Sequence, residues 1–177
     1  MNVKRTDTWS AENITATNNI LVVASGTAAV IDITPSDFLR SEGRRFDGNL
    51  YGVAPQESRF AIHGRDRMAF ADWQQFWQKA NGGQNGDAAS LAVAGITYDY
   101  APETRELVLR LPAEITLPQC LSDPRVATDF LGQPFPAGPP LGAGAPPGPF
   151  AGLQPGENRF TLWADSLPLS AGESAKK

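Results

Sequence analysis

The sequence predicts a mainly β domain: an antiparallel β-sandwich or small barrel, with one amphipathic helix packed on it and a long Gly/Pro-rich extended segment. Three observations carry that prediction. Short β-branched and aromatic runs alternate with Gly, Pro, Asn and Ser along most of the chain, and only one stretch has helical periodicity. Of the 25 residues from 132 to 156, 15 are Gly or Pro. With 177 residues, 41% of them apolar and 9% aromatic, the chain can bury a core and is not disordered as a whole.

Taken in order, residues 20–24 and 28–33 are apolar β-branched runs separated by Ser25-Gly26-Thr27, which reads as a hairpin. Pro35-Ser36 and Gly43 bracket a short helical turn. Residues 50–53 and 59–63 are further strands. In residues 66–80, Ala69, Trp73, Phe76, Trp77 and Ala80 form one apolar stripe, with Asp66 for the first turn, Lys79 in the last and Gly82-Gly83 as a stop. Such a stripe is buried against a sheet. Residues 82–90, GGQNGDAAS, read as a flexible turn. Ile96, Tyr98 and Tyr100 alternate with polar residues, as do Leu107, Leu109 and Leu111, and residues 101–105 join the two runs as a hairpin. Residues 111–118 have a proline at either end of LPAEITLP's apolar positions, which suits an edge or terminal strand. The core thus runs over residues 1–131, the extended segment over 132–156, a closing strand over 157–165 and a polar tail over 166–177. No fixed-period repeat stands out, which sets solenoids and propellers aside.

The net charge of −4 argues against sequence-independent nucleic-acid binding, which needs a basic face. One cysteine, Cys120, excludes an internal disulfide framework and reads as a buried, inert thiol. With His63 the only histidine, a transition-metal site is not expected, and neither is an organic cofactor or small-molecule ligand. The N-terminal residues lack a signal-type apolar stretch, and no run approaches the ~20 apolar residues of a membrane-spanning helix. Synthesis in a cytoplasm, and retention there until something exports or packages the protein, with no membrane partner, is the expectation. Asn13-Ile14-Thr15 matches a glycosylation acceptor by accident in that setting.

No motif selects a catalytic centre. His63 lies beside Arg65 and Asp66 and reads as a hydrogen-bonded structural residue. The carboxylates Asp99, Glu103, Glu106, Glu114, Asp123 and Asp129 are scattered, without spacing that pairs two across a cleft, and read as a solvated face. Arg40, Arg44, Arg45, Arg59, Arg65 and Arg67 cluster among acidic residues, which argues against a phosphate stripe. Arginine's planar fork suits protein interfaces, so Arg40, Arg44 and Arg45 are interface candidates, with exposed surface pairs as the plain alternative.

The Gly/Pro segment is uncharged up to Glu157 and studded with Phe130, Leu131, Phe135, Leu141, Phe150 and Leu153. Its backbone cannot form a helix or a central strand, and its side chains are a liability in water. An arm lying on a neighbouring subunit reconciles the two, with Phe135, Leu141, Phe150 and Leu153 as anchors. The alternative is a loop folded back on its own domain.

Residues 153–165, LQPGENRFTLWAD, resemble the Leu-x-Pro-Gly-x-Asn turn before a closing strand in β-sandwich domains of tailed-bacteriophage virion proteins, distal tail and baseplate proteins among them. In this sequence Pro155-Gly156 would make the turn, Asn158 would cap it, and Phe160 and Leu162 would enter the core. The resemblance implies a non-enzymatic structural protein of a virion (tail, baseplate or capsid decoration), a homo-oligomer that also contacts other virion proteins. The rival class is a carbohydrate-binding or glycan-active β-sandwich using Trp73, Trp77, Tyr98 and Tyr100 as a sugar platform.

Overall fold

The structure is a computed structural model that describes residues 15–23, 28–33, 45–62, 67–80, 86–118 and 153–162. Of these residues 41% lie in strands and 12% in the one helix, so the class is mainly β. Strands β1 (Thr15–Thr17), β2 (Ile20–Val22) and β3 (Ile31–Ile33) are followed by β4 (Arg45–Asp47), β5 (Leu50–Gly52) and β6 (Phe60–Ile62). Then come α1 (Phe70–Ala80), β7 (Leu91–Ala92), β8 (Thr97–Ala101), β9 (Glu106–Leu111) and β10 (Gly156–Thr161).

The first six strands correct two expectations, the hairpin and the setting-aside of solenoid-like stacking. β2 and β3 do not form a hairpin. Instead β1 pairs with β4, β2 with β5 and β3 with β6, all in parallel. Thr15 lies beside Arg45 and Ile20 beside Leu50, an offset of 30 residues, and Ile31 lies beside Phe60, an offset of 29. The chain therefore makes two stacked coils, β1–β2–β3 and β4–β5–β6, in the manner of successive turns of a β-solenoid. A third strand, β7, adds in parallel to β5.

The reason lies in the side chains of β2. A hairpin strand with one wet face alternates apolar and polar residues, but β2 is Ile-Leu-Val and supplies both of its faces to cores. Leu21, with its ladder neighbours Tyr51 and Ala92, packs into one cluster; Ile20 and Val22, with Leu50, Leu91 and Val93, pack into the other. Gly52 sits between the layers. A Cβ there would lie 3.1 Å from both Val22 methyls and 3.2 Å from Ile96, so this ladder position admits no side chain without displacement. Each coil also turns through a left-handed residue at the same place, Asn18 (φ 61°) in the first and Gly48 (φ 64°) in the second.

The helix forms where the apolar stripe lies, with Asp72 in its first turn and Lys79 in its last. It begins at Phe70, four residues after the expected start at residue 66. Met68 is held extended by exchanging backbone hydrogen bonds of 3.1 and 2.8 Å with Phe60. Phe70, Trp73 and Trp77 enter the first cluster with Phe46, Tyr51, Val53, Phe60 and Ile62. Rings meet in pairs: Phe46 stacks on Trp77 at 5.2 Å, and Trp73 meets Trp77 edge-on at 5.4 Å.

β8 and β9 form the expected hairpin, and β10 pairs antiparallel with the other side of β9. Leu109 and Leu111 of this sheet pack with Leu50 and Ile96 in the second cluster, so the β10–β9–β8 and β2–β5–β7 sheets share one apolar layer. Residues 112–118 form no strand, which corrects the edge-strand reading; Ile115 and Leu117 rest on the second cluster instead. Among the described residues no helix is long and apolar enough to cross a membrane.

Candidate functional site

The densest polar chemistry runs along the coil turns. Asn19 of the first coil, Asn49 of the second and Ser90 before β7 occupy the same ladder position, each one residue ahead of a paired strand start. The Asn19 N–H and Nδ2 donate to Asn49 Oδ1 at 3.0 and 3.1 Å. The Asn49 N–H donates to Ser90 Oγ at 2.7 Å, and its Nδ2 donates to the Ala16 carbonyl at 2.9 Å and to the Tyr51 hydroxyl at 3.4 Å. Backbone bonds run alongside, from Leu50 N–H to Asn19 O at 2.8 Å and from Leu91 N–H to Asn49 O at 2.9 Å.

The ladder ends on Asp87. Its Oδ2 accepts from the Tyr51 hydroxyl at 2.8 Å and from Trp73 Nε1 at 2.9 Å, and its Oδ1 accepts from Ser90 Oγ. Gln74 Nε2 donates to its carbonyl at 2.8 Å, tying the loop to the helix. Asp87 takes a left-handed backbone (φ 56°) to present its carboxylate inward. Both it and Asn49 have no solvent exposure. The flexible turn read in residues 82–90 is thus corrected for its described part: residues 86–90 are an anchored, hydrogen-bonded loop. Asp47, close by, accepts from the Gly48 and Ala89 N–H groups at 3.1 and 2.8 Å.

Burial pushes the Asp87 carboxyl above its ordinary range, and the bonds from Ser90, Tyr51 and Trp73 pull it partly back. Burial also raises the Tyr51 phenol, helped by the Asp87 charge. Ser90 Oγ donates to Asp87 and accepts from Asn49, and none of these groups reaches solvent. The arrangement joins two coils, a loop and a helix.

The two tryptophans divide the roles. Trp73 donates to Asp87, whereas among the described residues nothing accepts from Trp77 Nε1, although that nitrogen is buried. Replacing either by Phe removes similar volume, but only Trp73→Phe also takes a donor from the Asp87 carboxylate. Trp73→Phe is therefore expected to cost about 1–2 kcal/mol more than Trp77→Phe, measured by chemical denaturation.

The second polar feature is the outward face of the β10–β9–β8 sheet. Arg110 bonds Asp99 and lies 3.3 Å from Glu157; Arg159 Nη1 lies 2.6 Å from Glu106, and its Nε donates to Glu157 at 2.8 Å. Val108 sits between Asp99 and Arg159 in register and is buried beneath this lattice. The carboxylates Asp99 and Glu106 thus belong to a solvated face of ion pairs, where each pair contributes little to stability. On the other face, Tyr98 and Tyr100 of the edge strand β8 remain 42% and 41% exposed.

The turn before β10 forms around Asn158. Its Oδ1 accepts from Gln154 N–H at 2.9 Å, and its Nδ2 donates to the Gln154 and Gly156 carbonyls at 2.8 and 3.2 Å, with Gly156 at φ 89°. Phe160 rests on the second cluster, as does Leu153, so that predicted interface anchor packs against its own domain. Phe135, Leu141, Phe150, Arg40, Arg44, His63 and Cys120 lie outside the described residues. Arg45 pairs through its backbone in β4. Arg59 bonds Glu57 at 2.9 Å and the Ala28 carbonyl at 3.0 Å, a link between coils. The structure does not assemble the proposed sugar platform. Trp73 and Trp77 are 0% and 1% exposed, inside the first cluster, whereas Tyr98 and Tyr100 are 42% and 41% exposed on β8.

Among the described residues no three His, Cys, Asp or Glu side chains converge as metal ligands. Asn19, Asn49, Ser90 and Asp87 were not singled out by sequence reasoning. The available signal was Asn18-Asn19-Ile20-Leu21 followed, 30 residues on, by Gly48-Asn49-Leu50-Tyr51: a left-handed residue, a ladder Asn and two strand residues in the same order. Comparison with family models, curated proteins and solved structures gives no match to this chain.

Proposed function

We propose that the chain is a non-enzymatic structural or assembly protein, of the kind tailed-bacteriophage virions use in many copies, and that the Gly/Pro segment up to residue 152, ahead of Leu153, contacts a neighbouring subunit. The observation that carries this reading is the placement of the segment's ends. Leu111 and Gly156 are register partners across β9 and β10, so the chain leaves beside β9 and returns to pair with it. In this reading the uncharged Gly/Pro length carrying Phe135, Leu141 and Phe150 serves another subunit. In polyproline geometry its 17 residues from 134 to 150 span about 50 Å. In this reading the two sheets that share the second cluster act as the layers of a small sandwich, and the coils brace it. The self-satisfied Asp87 network supports a scaffold role over a catalytic one.

Deleting residues 134–150 tests the reading. The expected result is an unchanged far-UV spectrum and a thermal midpoint within a few degrees, with loss of the higher assemblies in sedimentation velocity. Unfolding of the domain with assembly spared would make the segment an intramolecular lid and end the proposal.

A further inference from the structure

Among the described residues, Tyr98 and Tyr100 are the large apolar side chains that stand exposed. They occupy alternate positions of β8, so both project from one face of the β10–β9–β8 sheet. Register sets Tyr98 beside Leu109, and Tyr100 beside Leu107 with Phe160 of β10 next in the row. Leu109 is buried in the second cluster, but Leu107, nearer the hairpin, is only half-buried. The apolar face thus continues beyond the core and ends in two tyrosine rings. The charged residues of these strands alternate onto the opposite face, where Asp99 pairs with Arg110 and Glu106 with Arg159. β8 and both its flanks belong to residues 86–118, all of them described.

The same sequence holds a chemical counterpart to this face. Pro136-Ala137-Gly138-Pro139 and Pro146-Pro147-Gly148-Pro149 each place two prolines three residues apart in an uncharged stretch. Polyproline geometry has three residues per turn, so such a pair shares one side of the helix, about 9 Å apart. It makes no internal hydrogen bonds, and its carbonyls need outside donors. Rows of aromatic side chains recognise segments of this kind. The Cβ atoms of Tyr98 and Tyr100 stand about 7 Å apart along the strand. One pyrrolidine ring fits between the two side chains with a contact of about 3.5–4 Å on either side. Each phenol also brings a hydroxyl that can donate to a carbonyl. A sugar would stack on the same rings, but its site needs polar groups placed to hold hydroxyls. Here the carboxylates lie on the other face, and Asn158, on this one, is bonded into its own turn.

We infer that Tyr98 and Tyr100 are the seat for the Gly/Pro segment of a neighbouring copy of this chain, its prolines packing against the two rings. The inference rests on the proposed arm and names the surface that the arm meets. Arm and seat are different surfaces, so the contact is heterologous. It repeats from copy to copy into a ring or a row, as a protein used in many copies requires.

The chain has three tyrosines, and the third, Tyr51, is fully enclosed and serves as the internal reference. Nitration by tetranitromethane, read by peptide mass spectrometry, compares the assembled full chain with the 134–150 deletion. Tyr98 and Tyr100 should react about tenfold more slowly in the full chain where the seats are nearly all filled, with Tyr51 unreactive in both. Equal reaction in the two proteins overturns the inference. So does protection that persists when the full chain is diluted to single copies, since the segment would then lie on its own rings. Sedimentation velocity separates the partners. Tyr98→Thr combined with Tyr100→Thr keeps β-branched residues on the strand and should abolish the higher assemblies while moving the thermal midpoint by no more than a few degrees. That variant and the deletion should each stay single alone and form a one-to-one species when mixed, the arm of the first on the rings of the second. Absence of the mixed species, or full assembly by the double variant, overturns the inference while leaving the arm standing. Full assembly by the deletion, or a full chain that stays single at every concentration, ends the arm reading itself. Nitration of the unsubstituted chain decides the matter even if the double variant does not fold.

Discussion

Replacing Asp87 with alanine is expected to destabilise the fold by roughly 3–4 kcal/mol. The carboxylate is the common acceptor for Tyr51, Trp73 and Ser90, all buried, and its removal leaves three donors with nothing to bond. Each such donor costs about 1–3 kcal/mol, and relief from burying a charge offsets part of the sum. Asp87→Asn keeps an oxygen for Trp73 and Tyr51 and should cost about half as much. The two variants separate hydrogen bonding from charge. Burial raises the folded Asp87 carboxyl above its unfolded value, so the folded state binds this proton more tightly. The associated stability is fully present below the unfolded value near ~3.9 and is lost as pH rises through the folded one. Relative to Asp87→Asn, the unsubstituted chain should therefore gain stability on mild acidification from neutral pH. Denaturation midpoints of the two proteins across that range check the sign.

Asn49→Ala is the second large effect, expected at roughly 2–4 kcal/mol. Its carboxamide is fully enclosed, accepts from both nitrogens of Asn19, and donates to Ala16 and Tyr51. Truncation orphans the Ala16 carbonyl and the Asn19 N–H at the seam between coils and leaves a cavity as well. Asn19 has the same side chain one level up, but it is exposed at the end of the ladder. Asn19→Ala should accordingly cost less than about 1 kcal/mol, because water replaces what is lost. The contrast between two identical residues 30 positions apart isolates burial as the cause; urea unfolding of both variants measures it.

Features written into neighbouring residues were legible in the sequence. The Trp73–Trp77 stripe announces the helix, the alternation around residues 101–105 announces the β8–β9 hairpin, and Pro155-Gly156 with Asn158 announces the turn into β10. In each case the partner lies within a few residues, where periodicity and turn chemistry operate. The parallel coils were not legible in that way. A run such as Ile-Leu-Val states that both faces of β2 are buried, but not that its partner is Leu50 instead of a strand across Ser25-Gly26-Thr27. Only alignment of the chain with itself at a spacing of 30 brings Asn19 over Asn49. Asp87 was hidden for a different reason. Gly and Asn around it mark a turn, and no local signal distinguishes a wet turn from one whose carboxylate is drawn inward by Ser90 of the same loop and by a tyrosine and a tryptophan from elsewhere in the chain. The Arg110–Arg159 lattice likewise depends on β10 returning beside β9 after more than 40 intervening residues.

The central claim is that the stacked coils, locked by Asn49 and Asp87, are the scaffold on which the remainder of the chain is hung. Amide hydrogen exchange tests it most directly. The Leu50, Leu91 and Val93 amides, whose bonds cross from one level to the next at 2.8–2.9 Å, should exchange slowest in the unsubstituted chain and lose their protection together in Asn49→Ala. If the β8–β9 hairpin amides were instead the most protected, and Asn49→Ala left the Leu50 and Leu91 amides as slow as before, the ladder would not be what holds this fold together.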